Sequence, residues 1–330
     1  MNPRMKNILF GLFALLYFSN PGIAKTFKPK PKPDTVLVGV YITSVHDVDF
    51  RQKEFAINLW LWLKYKNPDF DFLKNLEVPM AKSFQKSYST LDTLEDGTIY
   101  ILMKVECVMK GNWKISHFPF DHQKLRFYIE NSMYDATKLV FKPDTIGKHF
   151  GDYFLMDWEK DSLVIKSDIK KYETAFGDPA MAKPHSEYSS LKVILSVHRQ
   201  AWGLFFKLFL GMYIAFLIAW LCFFINTDRT EFRLSLSVGS IFAVVGNKYI
   251  IDSALPESNT YTLVDTLHAL TLFYIFLVIA SSIFTFKLNQ EEKKEMAEKY
   301  NTLTGRILLA FYVALNAWFI FKSCFTEAAG

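Results

Sequence analysis

The chain has 330 residues, of which hydrophobic types make up 51% and phenylalanine alone fills 32 positions, a load too high for a wholly soluble protein. Its formal net charge of +5 is modest and comes partly from two short lysine-bearing segments, which argues against nucleic acid as a partner. The three cysteines, Cys107, Cys222 and Cys324, include no pair at metal-ligand spacing, so neither a disulfide framework nor a zinc site is indicated.

Residues 1–24 read as an export signal. Arg4 and Lys6 start it, residues 8–18 form an apolar run too short to span a bilayer, and Gly22-Ile23-Ala24 offers a small-x-small cleavage site. The alternating Lys and Pro of residues 25–33 make a stiff, solvated spacer. From residue 34 to residue 200, short β-type runs recur between turn signals, at 36–43, 56–65, 98–109, 125–130, 139–141 and 191–198. Lys110-Gly111-Asn112 reads as a hairpin turn, and only 69–75 and 80–87 hint at helix. Many short strands at this spacing predict a β-sandwich of immunoglobulin type.

No His-Glu-x-x-His, Gly-x-Ser-x-Gly or phosphate-binding glycine loop occurs, so an enzyme is not expected. The seven histidines are scattered; His117 and His122 flank a turn and read as surface residues. Asp152, Asp157 and Asp161 beside Trp158 form an acidic loop that reads either as merely solvated, the expectation, or as a divalent-ion site; no cofactor and no metal ligand are assigned. Trp60 and Trp62 share one face of their strand and Leu61 takes the other. Either the tryptophan face is the core, or both indoles are exposed and serve a subunit interface or a ligand pocket.

Residues 201–330 carry four apolar segments, at 204–225, 234–251, 269–286 and 303–325, each long enough to cross a ~30 Å hydrocarbon core. An external sandwich makes the first–second and third–fourth connections cytoplasmic. These hold Arg229, Arg233, Lys287, Lys293, Lys294, Lys299 and Arg306, whereas residues 254–261 contain no Lys or Arg; the arrangement obeys the positive-inside rule. Lys248 lies near the outer end of the second span, four residues before Asp252, and the two are expected to pair.

The second span is the least membrane-like. Glu231, Ser235, Gly239, Phe242, Gly246, Tyr249 and Ser253 follow one another at steps of three or four and fall within an arc of about 80° on a helix turning ~100° per residue. A small and polar stripe on an apolar body faces either water in a pore or a closely packed helix.

At this point the order of parts resembles the pentameric ligand-gated ion channels, the Cys-loop receptor superfamily, in their prokaryotic form. The most specific element is His117-Phe118-Pro119-Phe120-Asp121-His122-Gln123, similar to the family's Phe-Pro-Phe-Asp-x-Gln turn without its flanking cysteines. Val38-Gly39-Val40-Tyr41, the Trp60 strand, Arg199 before the first span, and Leu255-Pro256 with Thr262-Leu263-Val264-Asp265 match further parts. The usual proline of the first span is absent from residues 209–213, and no tryptophan precedes Pro79.

The resemblance implies a cell-membrane homopentamer with its N-terminal sandwich outside, an ion channel opened by an extracellular small molecule bound between subunits, with no nucleic-acid partner. The stripe becomes the pore lining, with Glu231 as a cytoplasmic ring favouring cations unless it only pairs with Arg229 or Arg233. Phe242 and Tyr249 become constrictions. Trp60 is implied on the complementary side of an agonist box, and Glu130, Tyr134, Tyr172, Phe176 and Tyr188 on its principal side, a set suited to an amine. Transduction is implied through Asp47, Asp49, Phe120, Asp121, Arg199 and Pro256.

Overall fold

In the computed structural model, residues 32–151, 158–177, 179, 185–255 and 259–326 are described. The proposed signal, most of the Lys/Pro spacer, Asp152, Asp157 and Pro256 lie outside them. Nine strands form two sheets among the described residues: β1 (Asp34–Asp49), β2 (Glu54–Tyr65), β3 (Leu76–Glu77), β4 (Ala81–Thr93), β5 (Ile99–Lys110), β6 (His122–Asn131), β7 (Leu139–Pro143), β8 (Trp158–Tyr172) and β9 (Ser186–Arg199). One sheet runs β4-β5-β2-β1-β7 and the other β3-β6-β9-β8, with the β1–β7 pair parallel.

Strand alternation builds the core between them. Leu59, Leu61 and Leu63 of β2 are at most 1% exposed and meet Leu125, Phe127, Leu195 and Val197 from the facing sheet. The leucine face is therefore the core, and Trp60 and Trp62 turn outward, half-buried. Trp62 is fixed by donating Nε1–H to Asp144 Oδ2 at 2.9 Å. Its ring lies over Gly39, its partner across the β1–β2 ladder. A Cβ at Gly39 would sit 2.1 Å from the indole. Replacing Gly39 with alanine is expected to displace the ring and cost ~1–3 kcal/mol, read as a lowered thermal transition.

Two local expectations fail. Residues 80–87 are not helical: from Ala81 onward they belong to β4, an edge strand whose side chains are mostly exposed; with one neighbour and little burial, no period-two signal is imposed on its sequence. Lys110-Gly111-Asn112 does not close a hairpin, because β5 and β6 belong to different sheets. The hairpin turn of this region lies upstream, where Leu94 N bonds Thr98 O and Gly97 takes φ 77°. Strand β8 was hidden for the same reason as β4, since it too is an edge.

Beyond Gln200 the chain is helical: α1 (Ala201–Trp220), extended by a 3₁₀ turn (Leu221–Phe224), α2 (Thr230–Ala254), α3 (Leu263–Gln290) and α4 (Lys294–Thr326). All four are long and apolar enough to cross a membrane. Helix α1 buries Phe205, Phe209, Met212, Phe216 and Ala219 on one face, the spacing of a single apolar stripe. Thr262 and Asp265 close a capping box at the start of α3, which satisfies backbone donors that water would otherwise have to reach. Lys248 donates to Asp252 at 2.6 Å and to Asp265 at 2.7 Å, so the expected pair along α2 also ties α2 to α3. Buried His268 of α3 contacts Asn247 of α2, which donates to Leu208 O of α1.

Candidate functional site

The junction between sandwich and helices is built around a buried ion pair. Asp121 is 0% exposed and accepts from Arg199 Nε at 3.2 Å and from Gln123 Nε2 at 2.7 Å. Burial pushes its carboxyl up from the ordinary range, opposed by Arg199 and by the Gln123 bond. The guanidinium lies 4.2 Å from the Trp158 ring centre, 5.0 Å from Phe50 and 5.4 Å from Phe118, an aromatic enclosure that favours a cation. Neither Phe50 nor Trp158 announces this role in the sequence, since they lie far from Arg199 along the chain. Gln123 was legible only as part of the Phe-Pro-Phe-Asp-x-Gln turn.

Continuous packing carries the junction into the helices. Phe120 packs edge-on to Trp202 at 5.1 Å and against Phe205 at 5.5 Å. Phe50, Ile115, Phe118 and Phe120 belong to the same apolar cluster as Phe209, Leu263 and Leu267. The backbone is joined too, because Leu263 N, in the first turn of α3, donates to Ser116 O at 2.8 Å. Asp47 and Asp49 are exposed. Asp47 takes a positive φ of 50°, and Asp49 accepts Gln52 N at 2.7 Å to close the β1–β2 turn. That turn reaches the helical cluster through Phe50 rather than through either carboxylate.

A second constellation lies on the four-stranded sheet. Tyr172 donates to Glu130 Oε2 at 2.8 Å. Around it Tyr172, Phe176 and Tyr188 stand mutually edge-on, with ring centres 5.4–6.3 Å apart. Glu130 is 4% exposed, and burial raises its carboxyl despite the Tyr172 bond, helped by the charge of Glu77. Glu77 faces Glu130 directly across β3–β6, an acidic neighbour visible only once strand register is known. Phe176 is 64% exposed and takes φ 50°, a conformation unfavourable for a large side chain. Tyr134 does not join this group: it donates to Asp69 O at 3.0 Å and packs on Phe70. Trp60 sits on the other sheet, edge-on to Tyr88.

Helix α2 presents its stripe outward. All seven stripe residues are exposed, while Arg233, Ser237, Ser240, Val244 and Ile251 face the other helices. Packing inside the protomer is therefore excluded as the reason for the stripe. Phe242 and Tyr249 are 74% and 76% exposed, and no atom lies within 4 Å of a Cβ placed on Gly239 or Gly246. Arg233 is fully buried, donating to Cys222 O at 3.1 Å and to the side chain of Asn301. It is thus unavailable to Glu231, which makes no ion pair among the described residues.

Four membrane-length helices thus follow a two-sheet sandwich, with a buried Asp–Arg pair at the sandwich's edge of the junction. No protein-family model matches the chain. The chain is 24% identical over 296 residues to a proton-gated ion channel of Gloeobacter violaceus, covering 82% of this chain and 79% of that one. It is 23% identical over 313 residues to the glycine receptor subunit beta of Rattus norvegicus, covering 86% of this chain and 61% of the receptor subunit, less than two thirds of its length. A gamma-aminobutyric acid receptor subunit beta of Caenorhabditis elegans is 19% identical over 226 residues, 68% of this chain and 38% of that subunit. The chain is a homologue of the Cys-loop ligand-gated channels. Its four apolar helices and these relatives make it a multi-pass membrane protein with the N-terminal sandwich on the extracellular side.

Proposed function

We propose that five copies of this chain surround an axis as a homopentameric, cation-conducting channel opened by an extracellular small molecule. The observation that carries the reading is the uncovered stripe of α2. A helix inside a membrane that leaves Glu231, Ser235 and Ser253 on a face no helix of its own protomer covers would expose them to lipid in a monomer, an unfavourable arrangement. Five such faces turned inward line a water-filled path. The first 24 residues would act as the export signal that delivers the sandwich across the membrane, and the bilayer and permeant ions are the remaining partners. Neither a nucleic acid nor a catalytic reaction has a place in it, and the relatives are an ion channel and receptor subunits.

Glu231 sets the expected selectivity. Five carboxylates at the cytoplasmic mouth attract cations, each worth about 1 kcal/mol at ~4 Å in water. Glu231→Gln should cut cation conductance severalfold and shift the reversal potential toward that of the anion in asymmetric salt. An unchanged reversal potential would remove Glu231 from the ion path.

The agonist is proposed to be an amine, held between Glu130, Tyr172, Phe176 and Tyr188 of one protomer and Trp60 of its neighbour. An ammonium against such rings gains ~0.5–2 kcal/mol per contact, and Glu77 adds negative charge. Burial holds the Glu130 carboxyl above the usual range, so its anion is lost at higher pH than an ordinary carboxylate. Amine affinity should be full above that raised value and fall as pH drops through it, and Glu130→Gln should weaken binding and abolish this dependence. The bacterial relative is named as proton-gated, so a pH series run without amine separates gating by protons from pH-sensitive amine binding.

One observation favours a second reading, a non-conducting receptor of the same fold. Between Gly239 and Tyr249 the stripe carries no hydroxyl except the phenol of Tyr249 itself, and Phe242 fills its middle. The Phe242 substitution treated in the Discussion separates the two.

A further inference from the structure

A group of metal-binding side chains lies on the four-stranded sheet just outside the helices. His122, the first residue of β6, stands directly across from His198 of β9, and His198 directly across from Glu159 of β8. Directly opposed residues on antiparallel strands share a face with Cβ atoms ~4.5–5.5 Å apart, so the three side chains form a row. The irregularity of β8 between Lys160 and Ser162 places Asp161 on the same patch. Its Oδ1 is 2.6 Å from His198 Nδ1 and its Oδ2 3.4 Å from His122 Nδ1. The ligand atoms of His122, Asp161 and His198 all lie within 4.8 Å of one another, a span that small ring rotations close around an ion with bonds of ~2.0–2.2 Å.

The second nitrogen of His198 supplies an independent argument. Nε2 lies 3.3 Å from Glu159 Oε2, and Glu159 is itself held by Gln200 Nε2 at 3.1 Å. A carboxylate on the far nitrogen can hold the proton at Nε2, so that an ion displacing the proton shared between Nδ1 and Asp161 meets the Nδ1 lone pair, the arrangement found behind ligating imidazoles. The three ligand side chains are 34–35% exposed, so an ion can reach them from solvent while the strands hold them in place.

We propose that His122, Asp161 and His198 bind a zinc-class divalent cation, with Glu159 positioning His198 from behind. Two imidazoles and one carboxylate favour Zn²⁺ over Ca²⁺ or Mg²⁺, which take oxygen ligands. His122 follows Asp121 and His198 precedes Arg199 in the chain. An ion here staples β6 to β9 beside the buried Asp121–Arg199 pair, and its occupancy therefore bears on the junction between sandwich and helices. The site was not legible in the sequence, where 75 residues separate the two histidines and only strand register joins them.

The test is calorimetric titration of the purified, metal-stripped full-length protein with ZnCl₂, with CaCl₂ and MgCl₂ alongside. One Zn²⁺ per chain and no comparable heat from the other two ions is expected. His122→Gln and Asp161→Asn should each remove most of the affinity, and Glu159→Gln should lower it ~10–100-fold with stoichiometry kept. Zinc binding unchanged in His122→Gln and Asp161→Asn, or absent from the wild type, would overturn the proposal. Should a variant fail to assemble, X-ray absorption at the zinc edge of the loaded wild type decides. A shell of two imidazoles with a carboxylate supports the site, and an all-oxygen or sulfur-containing shell refutes it.

Discussion

Phe242→Ala is expected to make the resting protein leak. Phe242 lies halfway along α2, 74% exposed in the protomer, with Gly239 and Gly246 one turn away on either side of the stripe. In the proposed pentamer five phenyl rings narrow the path and expel water, an apolar barrier to ions. The neighbouring glycines supply no side chains to take over that role. Lowering the barrier by only ~1.4 kcal/mol raises passage about tenfold, so a clear standing current without agonist is expected in planar bilayers. Tyr249→Ala should act in the same direction and less strongly, because its phenol already offers water a hydrogen-bonding partner. A Phe242→Ala protein that assembles and stays electrically silent would favour the non-conducting receptor.

The second large effect belongs to the Asp121–Arg199 pair. Asp121→Ala leaves the Arg199 guanidinium, 14% exposed at the side chain, enclosed by Trp158, Phe50 and Phe118 without its counter-ion, and removes an acceptor from Gln123. Breaking one half of a buried pair costs ~3–5 kcal/mol, enough to lower the yield of assembled protein. The aromatic contacts offset part of that cost, and Gln123 keeps its two bonds to the Lys114 backbone. Thermal unfolding of Asp121→Ala, Arg199→Ala and the double variant measures the coupling. The double variant should be less destabilised than the sum of the singles, because it buries no orphaned charge. Strict additivity would mean that the two groups stabilise the junction independently.

The elements that were legible in the sequence are those in which burial imposes a period. Strand β2 shows it most plainly, since Leu59, Leu61 and Leu63 must alternate with outward residues to reach the core. The helices were legible from length and apolar content, and the α2 stripe from its three-and-four spacing. Edge strands β4 and β8 were not, because their exposed faces place little demand on residue type. Contacts that depend on register were hidden as well: Glu77 across from Glu130, Trp158 over Arg199, and His122 beside His198. Tyr134 illustrates the converse error. Its place in the chain suits an aromatic box, yet the nearby Phe70 ring and Asp69 carbonyl hold it elsewhere. Sequence position identifies a loop, and packing decides which way its side chain turns.

The measurement that bears most directly on the account is current through purified protein in planar bilayers, recorded against an amine panel and a pH series, with the pentameric state of the same sample checked by mass. The account predicts a ligand-evoked, cation-selective current that Glu231→Gln reduces. A pentamer that passes no current with any amine at any pH would contradict it.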